Sequence, residues 1–297
     1  MPSIGHRWRS TPLYRALALL LSGVLAALAG DPSSPPDKSG YTLFHPTPPR
    51  LMRPLSTDRP DITESPYTVD AGHLQLEMDL VSVLLDRDRS GGDVRTEAYA
   101  IAPLNLKLGL LNDVDVQFVF DTYVNARVED TSAGTVSRST GFGDFQTRVK
   151  INLWGNDEGT TALALMPFVS WPLPASDLRN GHTEGGIIVP FAVELPHGWD
   201  MGLMTEFDFI RNEANNGHDT EFVNTIALGH EIIGPLAGYA EFLSAVSTAS
   251  DGEWWGLVAV GFTYGINENI QLDMGCNFGV TDAAPDFNPF AGLAWRF

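Results

Sequence analysis

From Gly72 to the carboxyl end the chain alternates apolar and polar residues in short runs separated by Gly, Asn, Asp and Pro. A period of two is the mark of strands with one apolar and one wetted face. Leu74, Leu76, Met78 and Leu80 alternate with Gln75, Glu77 and Asp79, and Leu104, Leu106, Leu108 and Leu110 alternate with Asn105, Lys107 and Gly109. Val114, Val116, Phe118 and Phe120 oppose Asp115, Gln117 and Asp121. The sharpest repeat sets Phe145, Thr147, Val149, Ile151 and Leu153 against Asp144, Gln146, Arg148, Lys150 and Asn152. Leu272, Met274, Cys276 and Phe278 oppose Gln271, Asp273, Gly275 and Asn277. The stretches 222–233 and 236–246 carry polar residues on both faces, so their orientation is open at this level. No long stretch shows helical period.

Twelve strands are predicted, starting near residues 73, 95, 114, 141, 160, 185, 199, 220, 235, 253, 269 and 287. Their links alternate in length. Residues 86–94, 129–140, 173–184 and 211–219 form long links, and 111–113, 155–159, 196–198, 234–235 and 267–268 form short ones. Long external loops and short periplasmic turns alternate in this way in outer-membrane barrels, and an even strand number leaves both ends of the chain in the periplasm. Trp154, Trp199, Tyr264, Trp295 and Phe297 fall beside short links, while Trp171, Phe209, Trp254 and Trp255 fall beside longer ones, as two interfacial belts require. In hydrocarbon an open sheet edge leaves backbone groups unpaired at several kcal/mol each, so the strand near Leu74 is expected to pair with the strand near Trp295. The predicted fold is all-β: a closed antiparallel transmembrane β-barrel of about twelve strands, wider than the eight-stranded class whose side chains fill the interior.

The amino terminus agrees with that compartment. Arg7, Arg9 and Arg15 precede an apolar run of about a dozen residues that ends in Ala27-Leu28-Ala29, the pattern of a secretory signal peptide over 1–29. The run is shorter than the roughly 20 residues of a spanning helix. Residues 30–71 follow as a Pro-rich periplasmic leader, with Pro32, Pro35, Pro36, Pro46, Pro48, Pro49, Pro54 and Pro60 excluding a central strand or a helix interior. The barrel is assigned to 72–297, and the strand ending on Phe297 is expected to present the exposed terminus read by an outer-membrane assembly machinery.

Composition narrows the partners. The formal charge of −19 becomes −22 when the three signal arginines leave, which argues against nucleic acid. A single Cys excludes an intrachain disulfide. There is no G-x-S-x-G, no H-E-x-x-H and no Cys/His pair at metal spacing, so neither a catalytic residue nor a cofactor or metal is assigned. His182, His197, His218 and His230 lie mostly in or near links with no Ser or Asp tied to them by pattern.

Three blocks carry a family resemblance. The stretch from Ser56 to Glu77 (STDRPDITESPYTVDAGHLQLE), the block from Gly141 to Gly155 (GFGDFQTRVKINLWG), and Gln271-Leu-Asp-Met-Gly275 with Ala284-Pro-Asp286 resemble the family of outer-membrane transporters named for the MetA pathway of phenol degradation. The resemblance implies a barrel in the outer membrane of a diderm bacterium that admits small compounds, aromatic or hydrophobic ones among them.

Two residue sets are candidates for the solute pathway. Glu77, Asp79, Lys107, Asp115, Asp121, Asp144, Arg148, Lys150, Glu206, Asp208, Asp273 and Arg296 are placed on inward faces, an acidic excess that favours cations over anions. Asp144, Arg148 and Lys150 are candidates for a lumenal ladder. In the leader, Asp58, Arg59, Asp61, Glu64 and Tyr67 either sit at the periplasmic mouth or fold into the lumen as a partial plug, where Arg59 meets lumenal carboxylates. The function expected is passive or facilitated passage of a small solute by a lipid-embedded channel. The alternatives are a barrel-borne hydrolase, and a structural or adhesive barrel with a filled lumen that binds a partner through 129–140 and 173–184.

Overall fold

The computed structural model describes residues 36–88, 93–143, 145–172, 182–212, 217–249 and 252–297, so the expected signal segment and Asp144 lie outside the described residues. The strands are β1 (Leu74–Asp88), β2 (Val94–Ala100), β3 (Leu104–Leu111), β4 (Val114–Phe120), β5 (Val124–Asp130), β6 (Thr135–Gly141), β7 (Phe145–Trp154) and β8 (Thr161–Trp171). They continue as β9 (Glu184–Leu195), β10 (Trp199–Arg211), β11 (His218–Ile233), β12 (Leu236–Ser247), β13 (Trp255–Asn267), β14 (Ile270–Gly279) and β15 (Phe287–Arg296). All pair antiparallel in one sheet, and β15 returns to β1 to close it. Three neighbouring positions are each shared by two segments, β2 with β3, β4 with β5 and β6 with β7, so fifteen segments occupy twelve places around the ring.

Closure runs through Leu76 opposite Trp295 and Met78 opposite Leu293, and the Phe297 amide donates to the Leu74 carbonyl at 2.8 Å. The His73 ring ties the Phe297 carbonyl (3.0 Å) to that of Thr47 in the leader (2.7 Å). Outward faces carry exposed Leu80, Phe242, Val260, Phe262 and Met274, an inverted hydrophobic arrangement suited to lipid. Trp154, Trp199, Tyr264, Trp295 and Phe297 stand exposed near the short turns, and Trp171, Phe209 and Trp254 near the long links. Trp255 does not join that belt. It follows Trp254, so its side chain takes the opposite face, packing inside against the buried cluster of Leu243, Ala245 and Leu257.

The wall differs from the expected strand pattern on one side. Residues 129–140 are largely a hairpin, β5 and β6 joined by a four-residue turn at 131–134. Above the hydrocarbon both faces of these strands are wet, so the apolar/polar rhythm fades while β-branched Val124, Val128, Thr135 and Val136 keep the extended backbone. The three interruptions lie side by side: the Ile101 amide donates to the Tyr123 carbonyl (3.0 Å), and the Gly143 amide to the Asp121 carbonyl (2.9 Å). Pro103 brings no donor there, and Ala102 has a φ of 57°. Asp121 therefore sits in the break between β4 and β5.

Val260 is 44% exposed near the middle of β13. Replacing it by Arg is expected to cost about 2–4 kcal/mol in equilibrium unfolding from lipid vesicles. Stability equal to the parent's would contradict a lipid-facing position.

Candidate functional site

Inward faces follow from the register. Gln75 and Glu77 of β1, Lys107 of β3, Asp115 and Gln117 of β4, Arg148 and Lys150 of β7, Asp273 of β14 and Arg296 of β15 all point into the lumen and are mostly buried. These six neighbouring places make a polar half-wall. From β8 to β13 the inward residues are mainly apolar: Met166, Ile188, Met204, Val223, Leu243, Ala245, Leu257 and Ala259 form one buried cluster. The lumen is thus two-sided, where alternation alone predicted a wet interior throughout. Polar exceptions on this side include Thr225 of β11 and Glu241 of β12, and, toward the long-link end, Glu206 and Asp208 of β10 and Glu221 of β11.

The polar half-wall is buried because the leader covers it. Residues 36–55 cross the short-turn mouth, where Lys38 reaches Asp157 (2.6 Å) and Asp70 (3.4 Å) and Arg53 reaches Asp157 (3.0 Å). Arg296 donates to the Arg53 carbonyl at 2.8 Å. Residues 56–66 then rise into the barrel and 67–72 return to β1. At the turn of this excursion the Asp58 carboxylate lies between Lys107 (2.5 Å) and Lys150 (2.7 Å), and Lys107 also contacts Glu77. Arg59 bridges Asp79 (2.6 Å) and Asp273 (2.7 Å). Glu64 pairs with Arg148. On the far side Glu241 accepts from the Ile62 (2.8 Å) and Thr63 (2.7 Å) amides, and the Thr63 and Thr225 hydroxyls share a hydrogen at 2.6 Å. Ile62 packs on the apolar cluster.

Arg148 and Lys150 therefore pair with the leader. Of the expected ladder of Asp144, Arg148 and Lys150, Asp144 lies outside the described residues, and Lys150 stands opposite Asp115 of β4 as well as meeting the leader. The leader's second placement, inside the lumen, is the one adopted.

Several partners were not marked by the sequence pattern. Thr63 and Thr225 are ordinary hydroxyls in a polar stretch, and Glu241 lies in a stretch whose facing was open. Glycine on the wetted face is the signal that existed. A Cβ on Gly292 meets the Arg59 guanidinium, and one on Gly109 meets the Asp70 carbonyl, so both glycines leave room for the leader backbone or side chain.

Between the leader and the β9–β10 wall a cavity of about 490 Å³ remains, lined by Asp61, Glu64, Tyr67, Ala192, Asp200 and Met201, among others. Burial, then the Glu241 charge, holds the Asp61 carboxyl well above the usual carboxylate range. Burial, then the Asp58 charge, pushes Glu64 up to about 7 against the pull of Arg148. Burial also acts to raise Asp58, but Lys107 and Lys150 outweigh it and hold that carboxyl far below its ordinary value. The Tyr67 hydroxyl is raised by burial and stays protonated.

The fold defines a closed twelve-position antiparallel β-barrel whose outward face is apolar, the architecture of a barrel built for lipid. The chain belongs to the family described as "Putative MetA-pathway of phenol degradation", whose model matches residues 57–297, a span that includes the inserted leader. No curated protein matches the sequence. Among solved structures it is similar to the COG4313 outer membrane channel from Pseudomonas putida F1, at 13% identity and a TM-score of 0.57, covering 82% of this chain and 100% of that one. It is similar also to the beta domain of the Bordetella autotransporter BrkA, at 12% identity and a TM-score of 0.51, covering 76% and 99%. At these identities the likeness is one of fold. In outer-membrane barrels the short turns face the periplasm and the long links face outward.

Asp58→Asn leaves two buried ammonium groups short of a counter-charge and is expected to cost roughly 3–5 kcal/mol of leader docking. The readout is protease cleavage within 36–66, and unchanged resistance would contradict the assigned ion pairs. A pH response follows from Asp61 and Glu64. Both are acids raised on docking, so docking is supported while they hold protons and loses support as pH rises, for Glu64 through about 7. Asp58 acts in the opposite sense, losing its ion pairs only in strong acid. Corrected amide exchange of 58–66 is expected to be faster at about pH 8.5 than at about pH 6, and Glu64→Gln to flatten the difference.

Proposed function

We propose that this protein passes a small solute through the outer membrane along the apolar β8–β13 side of the lumen, past a leader fixed on the opposite side. The observation that carries this reading is the asymmetry of the interior. The leader's ion pairs are concentrated on the polar half-wall, and open volume remains against β9 and β10 at the periplasmic mouth. A cavity of about 490 Å³ is within the range of small-molecule sites and suits a solute of one ring. The cavity lining is mixed, with Leu55, Tyr67, Val193 and Met201 beside carboxylates such as Asp61 and Asp200, which favours a small compound with an apolar ring and a hydrogen-bond donor. The family's association with phenol degradation supports that solute class.

The pathway residues fall into two roles. Asp58, Arg59, Glu64, Glu77, Asp79, Lys107, Asp115, Arg148, Lys150, Asp273 and Arg296 hold the leader or frame it, and Asp61, Tyr67, Glu206 and Asp208 face the route. The route-facing carboxylates give a weak preference for cations among ions where they are ionised, reduced by salt and by the proton that Asp61 holds. Residues 1–29 serve as a cleaved signal peptide, and the β15 strand with Phe297 is the segment presented to the assembly machinery. Ala192, Val193 and Met201 provide apolar contact where the cavity meets the wall, and Ile188, Met204 and Leu243 are packed behind them.

A disulfide test separates passage past the leader from passage that needs its removal. The Thr63 and Thr225 hydroxyls are 2.6 Å apart, close enough for a Thr63→Cys/Thr225→Cys pair to cross-link. The expected result is uptake of a single-ring solute into liposomes within about twofold of the reduced form. Abolished uptake after oxidation overturns the route. Reversal potentials favouring anions overturn the charge assignment, and an absence of both conductance and uptake in the parent supports a filled structural barrel.

A further inference from the structure

The external rim carries a charge pattern that solute passage does not use. On the outward face of β1, β2, β5 and β6, cross-strand pairing sets Arg87 opposite Arg95 and Arg127 opposite Arg138. Like charges directly opposite one another weaken a strand pair, and here they occur twice on one face of a chain whose net charge is −19. The carboxylates on the face neutralise part of it. Arg87 pairs with Asp93 in the following link, and Arg127 contacts Glu129 (2.6 Å) and Glu97 (3.5 Å). Among the described residues, Arg95 and Arg138 form no ion pair, and both are exposed.

The height of this face is set by its neighbours. One same-face step below Arg87 on β1 comes the exposed Leu85, which pairs with Phe287, and two steps below Arg95 on β2 comes Tyr99, whose ring lies 6.2 Å from that of Tyr123. These residues form the upper edge of the apolar and aromatic band. The guanidinium groups therefore stand at the level of lipid headgroups, facing away from the lumen.

We propose that this sheet face binds the phosphate groups of a phosphorylated glycolipid in the outer leaflet. Charge complementarity selects the occupant: the lipid surface at that height is anionic, and arginine forks match phosphate oxygens in paired charge-assisted hydrogen bonds. Leu85 and Tyr99 provide apolar contact for the lipid beneath the headgroup. The two Arg–Arg juxtapositions, unfavourable in the free sheet, become favourable once a dianionic group lies between them. Basic residues flush with a membrane interface act on anionic headgroups in this way.

The test uses the full refolded chain in detergent, with lipopolysaccharide, its enzymatically dephosphorylated form and inorganic phosphate as probes, and native mass spectrometry as readout. The parent is expected to retain phosphorylated lipopolysaccharide about tenfold better than the dephosphorylated form. R95Q/R138Q is expected to lose about that factor, and R95K/R138K, which keeps charge without the planar fork, to fall between them. Mobility on unboiled gels reports barrel closure. If the glutamine variant does not close, the parent's discrimination between the two lipid forms decides alone. Equal retention of the two lipids, or undiminished retention by a closed R95Q/R138Q barrel, overturns the proposal. Displacement by millimolar inorganic phosphate as effective as by lipid reduces the site to a free-anion site and overturns it too, as does a lipid-free dimer lost on the same substitutions.

Discussion

A strand in hydrocarbon has no water to satisfy its N–H and C=O groups, and the rest of this structure depends on that constraint. It requires the sheet to close, which β15 does against β1, and closure creates a lumen. With apolar residues facing lipid, the alternate positions face inward, and there they carry Lys107, Lys150, Arg148, Glu77 and Asp273. Charges in a narrow protein-lined interior need partners, because burying one alone costs far more than a surface pair returns. The leader provides those partners. Insertion of 56–66 is thus a consequence of where the wall places its cations and carboxylates, and Asp58 between two lysines is its central contact.

The leader also divides the interior. Its charged side chains engage β1, β3, β7, β14 and β15, the Val69 amide adds Asp115 of β4, and Ile62 and Thr63 reach the other side through Glu241 and Thr225. On the proposed route a solute meets Ala192, Val193, Asp200 and Met201 of β9 and β10, while the ion pairs opposite stay closed. Because the leader is held by contacts to several strands, loss of one contact weakens docking without abolishing it. Loss of Asp58 acts on two lysines at once.

Outside the hydrocarbon the same chain obeys different rules. The β2–β5–β6 extension keeps strand geometry with water on both sides, so its outward face is free to carry arginines that lipid would exclude. A protein this acidic places its outward-facing cations where phosphate is the natural counter-ion. Lumenal and outward charges therefore answer to separate environments, although they alternate along the same strands.

The sequence alone determined the barrel: period-two alternation, alternating link lengths, the strand ending on Phe297 and the need for closure lead to one architecture, since each is a local consequence of a lipid–water boundary. It also determined which of Glu77, Lys107, Arg148, Lys150 and Asp273 face inward, because a period of two leaves no choice once one face is apolar. Only the tertiary structure decided what those groups touch. Asp58 reaching Lys150, Arg59 reaching Asp273 and Thr63 reaching Thr225 join residues 92, 214 and 162 positions apart, and no local pattern encodes such meetings. The apolar half-wall was hidden for the same reason: 222–233 and 236–246 are mixed on both faces, and their inward side is defined by pairing with neighbours and by Ile62 lying against it. Trp255 turned inward because its neighbour Trp254 took the lipid side, a choice that a strand makes only when its register is fixed.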